Sequence, residues 1–535
     1  NAMPTDCISF RDTAYVSKLI CDYVENRPEL HSLYSRYPTL ENFKAQIEVK
    51  QSEFSSDKRA ILVKALTKQY AQISLTELTV NTIHSLGDEN TFTVTTGHQL
   101  NLMGGPLYFL YKIISTINLT KELKNKYPKN NFVPVFWMAT EDHDFEEINH
   151  FNFQNKRFQW SQQTSGAVGD LSTSGLVEFI EVFSKALGDS SHALALKELI
   201  SKAYLKHSNL ADATRYLVHT LFGSEGLLVI DGNDTALKQV FIPQITSELT
   251  NQHAFTSVTK TNKLLSDLDA AYEIQVNPRE LNLFYLIENL RERIVKKEGV
   301  YRVLNTNIEW DLKSILEEVN SHPERFSPNV IMRPLYQETI LPNLCYIGGG
   351  GELAYWLQLK SYFEVEQIQF PILLHRNSAL IISQKKHQKL DKLKLSVTDL
   401  FLDKQALIKS QIKKISLLPI DFSSQKQHLK QQFEYLHTLA KQTDKSFLGA
   451  VSAQEIKQLK GLDTLEKRLL KAEKKGHKEY IDRLEAIHLE LFPNGGLQER
   501  FTNFSEFYLV YGDEFINHLK LELAPLNQKF HVLTL

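Results

Sequence analysis

Three short apolar runs, each cut off by glycine or by charge, constrain the fold of this chain more than any other feature. Thr91-Phe-Thr-Val-Thr-Thr96 stops at Gly97. Val133-Pro-Val-Phe-Trp-Met-Ala139 stops at Thr140-Glu-Asp142, and Leu344 to Ile347 runs into four glycines, Gly348 to Gly351. Runs this short and this apolar predict strands buried on both faces, as in the middle of a parallel sheet. Leu227-Leu-Val-Ile230 and Pro371-Ile-Leu-Leu374 are of the same type. Helical patterns alternate with them. Pro106 is suited to open a helix whose buried side carries Leu107, Leu110, Tyr111, Ile114 and Ile117, and Tyr216, Leu217 and Leu221 precede the run at 227. The alternation predicts an α/β fold with a doubly wound, Rossmann-like parallel sheet.

A chain of 535 residues exceeds one hydrophobic core, so several structural units are expected. The reading divides it into N-terminal helices and the first part of the core (3–150), a first insertion (151–210), core (211–235), a second insertion (236–325), core (326–382), an α-helical coiled-coil arm (383–496) and a C-terminal segment packing on the core (497–535). In the first segment Ile61, Leu62, Ala65, Leu66, Tyr70 and Ile73 share one helical face. In the arm, Leu429, Phe433, Leu436 and Ala440, then Leu462, Leu465, Leu469 and Ala472, then Tyr480, Leu484, Ile487 and Leu491 repeat every 3.5 positions. With a break around Thr443 to Gly449 and a stop at Pro493-Asn-Gly-Gly496, they predict an antiparallel helical hairpin. Lys385, Lys386, Lys389 and Lys392 read as its solvated face.

Composition removes several classes. Hydrophobic residues make up 42% and charged residues 23%, and the formal net charge is −2. No basic footprint for nucleic acid is present, and no apolar run is long enough to span a bilayer. Asn1-Ala2 before Met3 reads as a purification scar, and the expected compartment is the cytoplasm. Cys7, Cys21 and Cys345 form no C-x-x-C pair, and Cys345 reads as a buried strand residue.

Three stretches carry chemistry. Gly97-His-Gln-Leu-Asn-Leu-Met-Gly-Gly-Pro106 joins a strand to a helix, where open α/β sheets bind ligands, and offers Gly97, His98, Gln99, Asn101 and Gly105. Thr140 to His150 packs five carboxylates and two histidines. Asp142 and Asp144 bracket His143, a candidate general base, whereas Glu146 and Glu147 suit a helix start. Tyr346 to Trp356 presents Gly349, Gly350 and Gly351 as an anion nest before a helix from Glu352 to Lys360, with Glu352, Tyr355 and Trp356 beside it. Arg333 in Arg-Pro-Leu-Tyr-Gln-Glu338 adds a fixed cation. All three stretches are expected to converge on one cleft at the carboxyl edge of the sheet.

Together, Gly97-His-Gln-x-Asn-Leu-x-x-Gly-Pro-Leu-Tyr108 with Lys112, Pro134 to His150, Arg333-Pro-Leu335, Gly-Gly-x-Gly-Glu-Leu-Ala-Tyr-Trp356, and Leu497-Gln-Glu-Arg500 with Tyr511-Gly512 resemble the cysteine ligase family of bacillithiol biosynthesis, BshC. The resemblance runs over nearly the whole chain. It implies a core like that of class I aminoacyl-tRNA synthetases, a homodimer, and a reaction in which cysteine is joined to the glucosamine amine of glucosaminyl malate. It also implies that Lys112 belongs to the substrate site. His98 stands where the family pattern has glutamine. Activation of the cysteine carboxyl by ATP is compatible with this reading, although no nucleotide motif establishes it, and no metal is firmly implied. Two other readings stay open: a metal-dependent hydrolase using His143, Glu146 and His150, and a coiled-coil binding protein.

Overall fold

A computed structural model describes residues 6–535, so Asn1-Ala2 and Met3 lie outside the described residues. The chain divides into two units, Asn1–Leu380 with Leu497–Leu533, and Ile381–Gly496 with Thr534–Leu535.

The first unit is built on a five-stranded parallel sheet: β1 (Thr91–His98), β2 (Asn131–Met138), β3 (Leu228–Asp231), β4 (Asn343–Gly348) and β5 (Ile372–His375). Their spatial order is β5-β4-β1-β2-β3, and all neighbours are parallel. From β1 the chain steps one way to β2 and β3, then returns to the other side of β1 for β4. The strand order therefore reverses between β1 and β4, the place where doubly wound sheets leave a crevice. β1 is unusual in burying four threonines. Thr93 and Thr95 hydroxyls both donate to the Asn343 side-chain oxygen (3.0 and 2.8 Å), and Thr96 donates to the Ile347 carbonyl, so three of the four stay satisfied in the core, while the Thr91 hydroxyl does not. The free edge of β3 is closed by the preceding helices: Tyr70 Oη accepts from the Val229 N–H and Gln69 Oε1 from the Asp231 N–H.

The helix after β1 spans Tyr108–Lys126 and is buried continuously from Phe109 to Ile117. It does not begin at Pro106. The Leu107 N–H is taken by the Thr502 carbonyl, and Pro106 faces Asn503 in a bridge, so the C-terminal segment holds those two residues outside the helix. That segment also covers the helix's outer side, where Asn118 donates to the carbonyls of Lys520 and Leu523. The glycine-rich helix differs as well. It spans Gly350–Trp356, capped at Gly349, and a separate helix covers Lys360–Val365. An antiparallel sheet, all but its last strand within the second insertion, runs in the order Glu309–Trp310, Val300–Val303, Leu290–Lys297, Leu283–Ile287, Phe326–Pro328.

In the second unit, helices Ser423–Ala440 and Lys445–Gly476 form an antiparallel hairpin, and Lys478–Leu491 follows. The break is at residues 441–444, and Gly449 lies inside a helix. The seam keeps Leu429, Phe433 and Ala440 of the 3.5-residue period. Phe433 and Ala440 pack on Val451 with Leu429 and Leu448, whereas Leu465 is half exposed. Charges set the register: Lys426 pairs with Asp463 and Glu466 (both 2.6 Å), and His437 with Glu455 (2.8 Å). Leu484 instead joins a core with Leu407, Ile408, Ile412 and Ile420.

Candidate functional site

A cavity of about 940 Å³ opens at the carboxyl edge of the parallel sheet. Gly97, His98 and Gln99 from the end of β1, Thr140 to His143 after β2, and Gly349, Gly351 and Glu352 after β4 all line it, with Lys112, Arg333 and Tyr355. The three chemistry-bearing stretches meet in one place.

At the centre lies an ion pair between buried Lys112 and partly exposed Glu352. Lys112 Nζ, on the helix after β1, is 2.6 Å from Glu352 Oε2 and donates to the Gly97 carbonyl (2.5 Å). Glu352 also accepts from Tyr346 Oη (2.6 Å) and from the Gly349 N–H (2.8 Å). Burial alone would raise this carboxyl, but Lys112, Tyr346 and the Gly349 N–H outweigh it and hold it below the ordinary carboxylate range. The expected anion nest is thus filled at Gly349 by the protein's own Glu352. Gly97 must be small here, since a Cβ would stand 3.2 Å from Tyr346 Oη. His98 is buried, and its Nε2 faces the Gly104 carbonyl (3.2 Å). Burial first, then the neighbouring Lys112, push its imidazole down to about 3, so it stays neutral.

Five sequence candidates fall outside the lining. Trp356 is fully buried and stacks on Tyr346 (4.7 Å), serving the core. Gly350 faces Ile20 and His375. Asn101 donates to the Glu147 carbonyl (2.9 Å). Gly105, at φ +68, turns the loop where a Cβ would meet Asn101 at 2.9 Å. Asp144, expected to face ligand, caps the short helix Phe145–Ile148 by accepting from the Glu147 N–H. Glu147, expected to serve that helix start, accepts instead from Gln99 Nε2 (2.5 Å), which also donates to Asp142 (3.1 Å).

His143 lines the cavity with Arg291 against its ring. Arg291 Nη1 lies 2.6 Å from its Nδ1, and a guanidinium can only donate, so Nδ1 is the acceptor and a neutral ring carries its proton on Nε2. Taking a second proton at Nδ1 would set two donors face to face. The metal reading is unassembled: His150 Nδ1 sits at the Asn149 side chain (3.1 Å), and among the described residues no group of three or more His, Cys, Asp or Glu could hold a metal ion.

Sequence reasoning missed one wall. The second insertion supplies Arg279, Asn282, Phe284, Arg291 and Arg293, and the C-terminal segment supplies Arg500. Arg291 and Arg293 are two apart on a strand, a spacing that puts both on one face, but nothing in the sequence says that this face turns toward the core. Arg376, beside Asn377 and Ser378 after β5, repeats the pattern of an apolar run cut off by polar residues and could have been read from it. It is buried and paired with Glu499 (2.8 Å). In all, seven cationic side chains line the cavity against four carboxylates, an excess suited to anionic substrates.

Among the described residues, no helix is long and apolar enough to cross a membrane. Residues 3–377 match the family described as Bacillithiol biosynthesis BshC, N-terminal Rossmann-like domain, and residues 379–535 its C-terminal coiled-coil domain. Packing divides the end of the chain differently, since 497–533 sit with the first unit. A protein of Flavobacterium johnsoniae bearing the name "Putative cysteine ligase BshC" is 55% identical over 533 residues, covering 100% of both chains. Relatives of the same name from Flavobacterium psychrophilum and Bacillus cereus are 56% and 27% identical, covering 99% of both chains and 97% and 98%, respectively. A crystal structure described as a putative arginyl tRNA synthetase from Campylobacter jejuni is matched at a TM-score of 0.22 and 9% identity, over 86% of this chain and 100% of its own, too low a likeness to bear on synthetase-like detail. Matched by both of its domains from residue 3 to residue 535, on a Rossmann-like sheet and a coiled-coil arm, the chain belongs to the BshC family of bacillithiol biosynthesis.

Proposed function

We propose that this chain is an amide-forming ligase that joins the carboxyl of cysteine to the glucosamine amine of glucosaminyl malate, giving bacillithiol, and that the reaction takes place in the cavity at the sheet's carboxyl edge. The observation that carries the reading is the meeting of all three motif stretches, with an excess of cations, in one cavity at the point where strand order reverses. Forming the amide requires an activated carboxyl and an amine that has lost its proton. With His143 Nδ1 engaged by Arg291, the carboxylate placed to take that proton is Asp142, which lines the wall and holds the Gln99 amide. Malate's carboxylates suit the arginines of the wall.

The test is a strain that makes bacillithiol and lacks its own BshC. Expression of the full chain is expected to restore bacillithiol, measured as its thiol-labelled derivative. Unchanged absence of the thiol in cells containing the folded protein would overturn the reading. Purified chain given cysteine, glucosaminyl malate and ATP is expected to release the same product, and omitting ATP asks whether it activates the carboxyl. We also propose a homodimer to which the helical hairpin contributes. Light scattering of a chain lacking residues 423–491 is expected to give the monomer mass, and a retained dimer would remove the hairpin from the interface.

A further inference from the structure

Arg291 is a cation held in place entirely by neutral groups. Its Nε donates to Ser327 Oγ (3.2 Å), Nη2 to the Pro328 carbonyl (3.5 Å) and Nη1 to His143 Nδ1 (2.6 Å), while the guanidinium plane lies over the Phe284 ring (3.9 Å). Among the described residues no carboxylate comes within ion-pair distance of it. The acids nearest in sequence to His143 are already engaged: Glu141 with Lys238 (2.5 Å), and Asp142 with the His143 N–H (2.7 Å) and the Gln99 amide. Glu141 and Asp142 act on the partly buried Arg291 charge only from beyond ion-pair distance, whereas a cation in such a place is ordinarily paired in direct contact. This one lines a cavity and is locked by three acceptors and a ring, so it loses little freedom on meeting a partner.

The same contact sets the chemistry of His143. Because Arg291 occupies Nδ1, the half-exposed ring presents Nε2–H as a donor. A positive charge and a fixed N–H then stand side by side on the cavity wall, the combination that recognises an oxyanion.

We propose that Arg291 and His143 form an oxyanion subsite, with the second insertion supplying the charge and the acidic stretch after β2 supplying the N–H donor, and that it binds a carboxylate or phosphate group of a small-molecule substrate. The proposal rests on the reading of this cavity as the substrate site, but its test is of binding and needs no turnover. Arg279 and Arg293 on the same wall strengthen the field without making these contacts.

The experiment is titration calorimetry of the full chain with L-malate and, separately, with inorganic phosphate, for the wild type and for Arg291→Gln, Arg291→Lys and His143→Gln. Folding of each variant is checked by its thermal melt. At least one of the two anions is expected to bind the wild type, and the one that does identifies the group recognised. Arg291→Gln is expected to weaken it by about tenfold or more. Arg291→Lys, which keeps the charge and loses the fork, is expected to fall between. His143→Gln keeps a side-chain donor and is expected to lose less than Arg291→Gln. Equal affinity in wild type and Arg291→Gln, or no binding of either anion to the wild type, overturns the proposal. If Arg291→Gln does not fold, equal affinity in Arg291→Lys and wild type does the same. A nitrogen-15 spectrum of His143 with the proton on Nδ1 overturns it independently. Because none of these readouts requires product, failure to make bacillithiol with intact anion binding would count against the proposed reaction and leave the subsite standing.

Discussion

At the scale of single residues, the site depends on which groups are already satisfied. Asp142 holds the Gln99 amide and the His143 N–H, yet a carboxylate has lone pairs to spare for an amine proton. Asp142→Asn keeps the shape and removes the acceptor charge. It is expected to lower kcat for bacillithiol formation by about 10²- to 10⁴-fold with the melting temperature nearly unchanged. A variant within a few-fold of wild type would take the proton-acceptor role from Asp142. Glu352 is the opposite case, a carboxylate held at once by Lys112, Tyr346 and the Gly349 N–H. Glu352→Gln leaves Lys112 buried without its counter-charge and is expected to cost about 3–5 kcal/mol, measured by denaturant unfolding at pH 7. The pH dependence has a definite sign. The folded-state pKa of Glu352 is depressed, so its contribution is fully present above the unfolded value of about 4.3 and disappears as pH falls through the folded value. The wild type should therefore lose stability on acidification more steeply than Glu352→Gln.

Between elements, buried polar groups hold the second insertion together. Glu248, on helix Ile242–Asn251, accepts from the Asn282 backbone N–H and side-chain amide (both 2.8 Å), and Asn282 lines the cavity. Burial pushes the Glu248 carboxyl up to about 7, against the two Asn282 donors. Between the unfolded value of about 4.3 and about 7 the native state holds a proton that the unfolded chain has lost, so stability falls as pH rises through that window. Glu248→Gln, nearly isosteric and always neutral, is expected to flatten that part of the unfolding free energy against pH, a change on the order of 3 kcal/mol. An unchanged slope would show that Glu248 does not titrate there. The helical hairpin obeys the same logic. Its seam goes where Lys426 and His437 find carboxylates as well as where the apolar period runs.

For the whole molecule, the end of the chain completes the first unit. Glu499 pairs with Arg376 on the cavity wall (2.8 Å) and accepts from the Ala379 N–H (3.0 Å), both partners nearly inaccessible to solvent. Glu499→Gln is expected to cost about 3–5 kcal/mol, because it strands a buried guanidinium. Truncation before Leu497 removes that carboxylate, Arg500 and the cover over the long helix together, so it is expected to abolish the cooperative melt of the first unit. Excision of 423–491, by contrast, removes only residues of the second unit and should leave that melt in place. Loss of the first unit's transition in the excised chain, followed by near-UV circular dichroism, would overturn this.

Much of this protein was determined by local chemistry that can be read along the chain. Short runs bounded by glycine or charge dictate β1, β2 and β4: β2 and β4 because strands buried on both faces are short and apolar, and β1 because its residues are β-branched and aromatic. Once those strands are parallel, their polar ends must gather at one edge, which is why residues as distant as Gln99 and Glu352 could be expected in one cleft. The 3.5-residue period likewise dictated a helical hairpin and the seam residues Leu429, Phe433 and Ala440, but not every position, since Leu465 fits the period and is half exposed. What only the tertiary structure decided is which side chain answers which. Asp144 turned to a helix cap, Trp356 to the core and Glu352 to the glycine N–H, each contact available locally and chosen by packing. The arginine wall was beyond reach for a different reason. Arg291 and Arg293 acquire a function only because an antiparallel sheet from an insertion folds back over the carboxyl edge, and no period or motif in the sequence encodes where that sheet comes to rest.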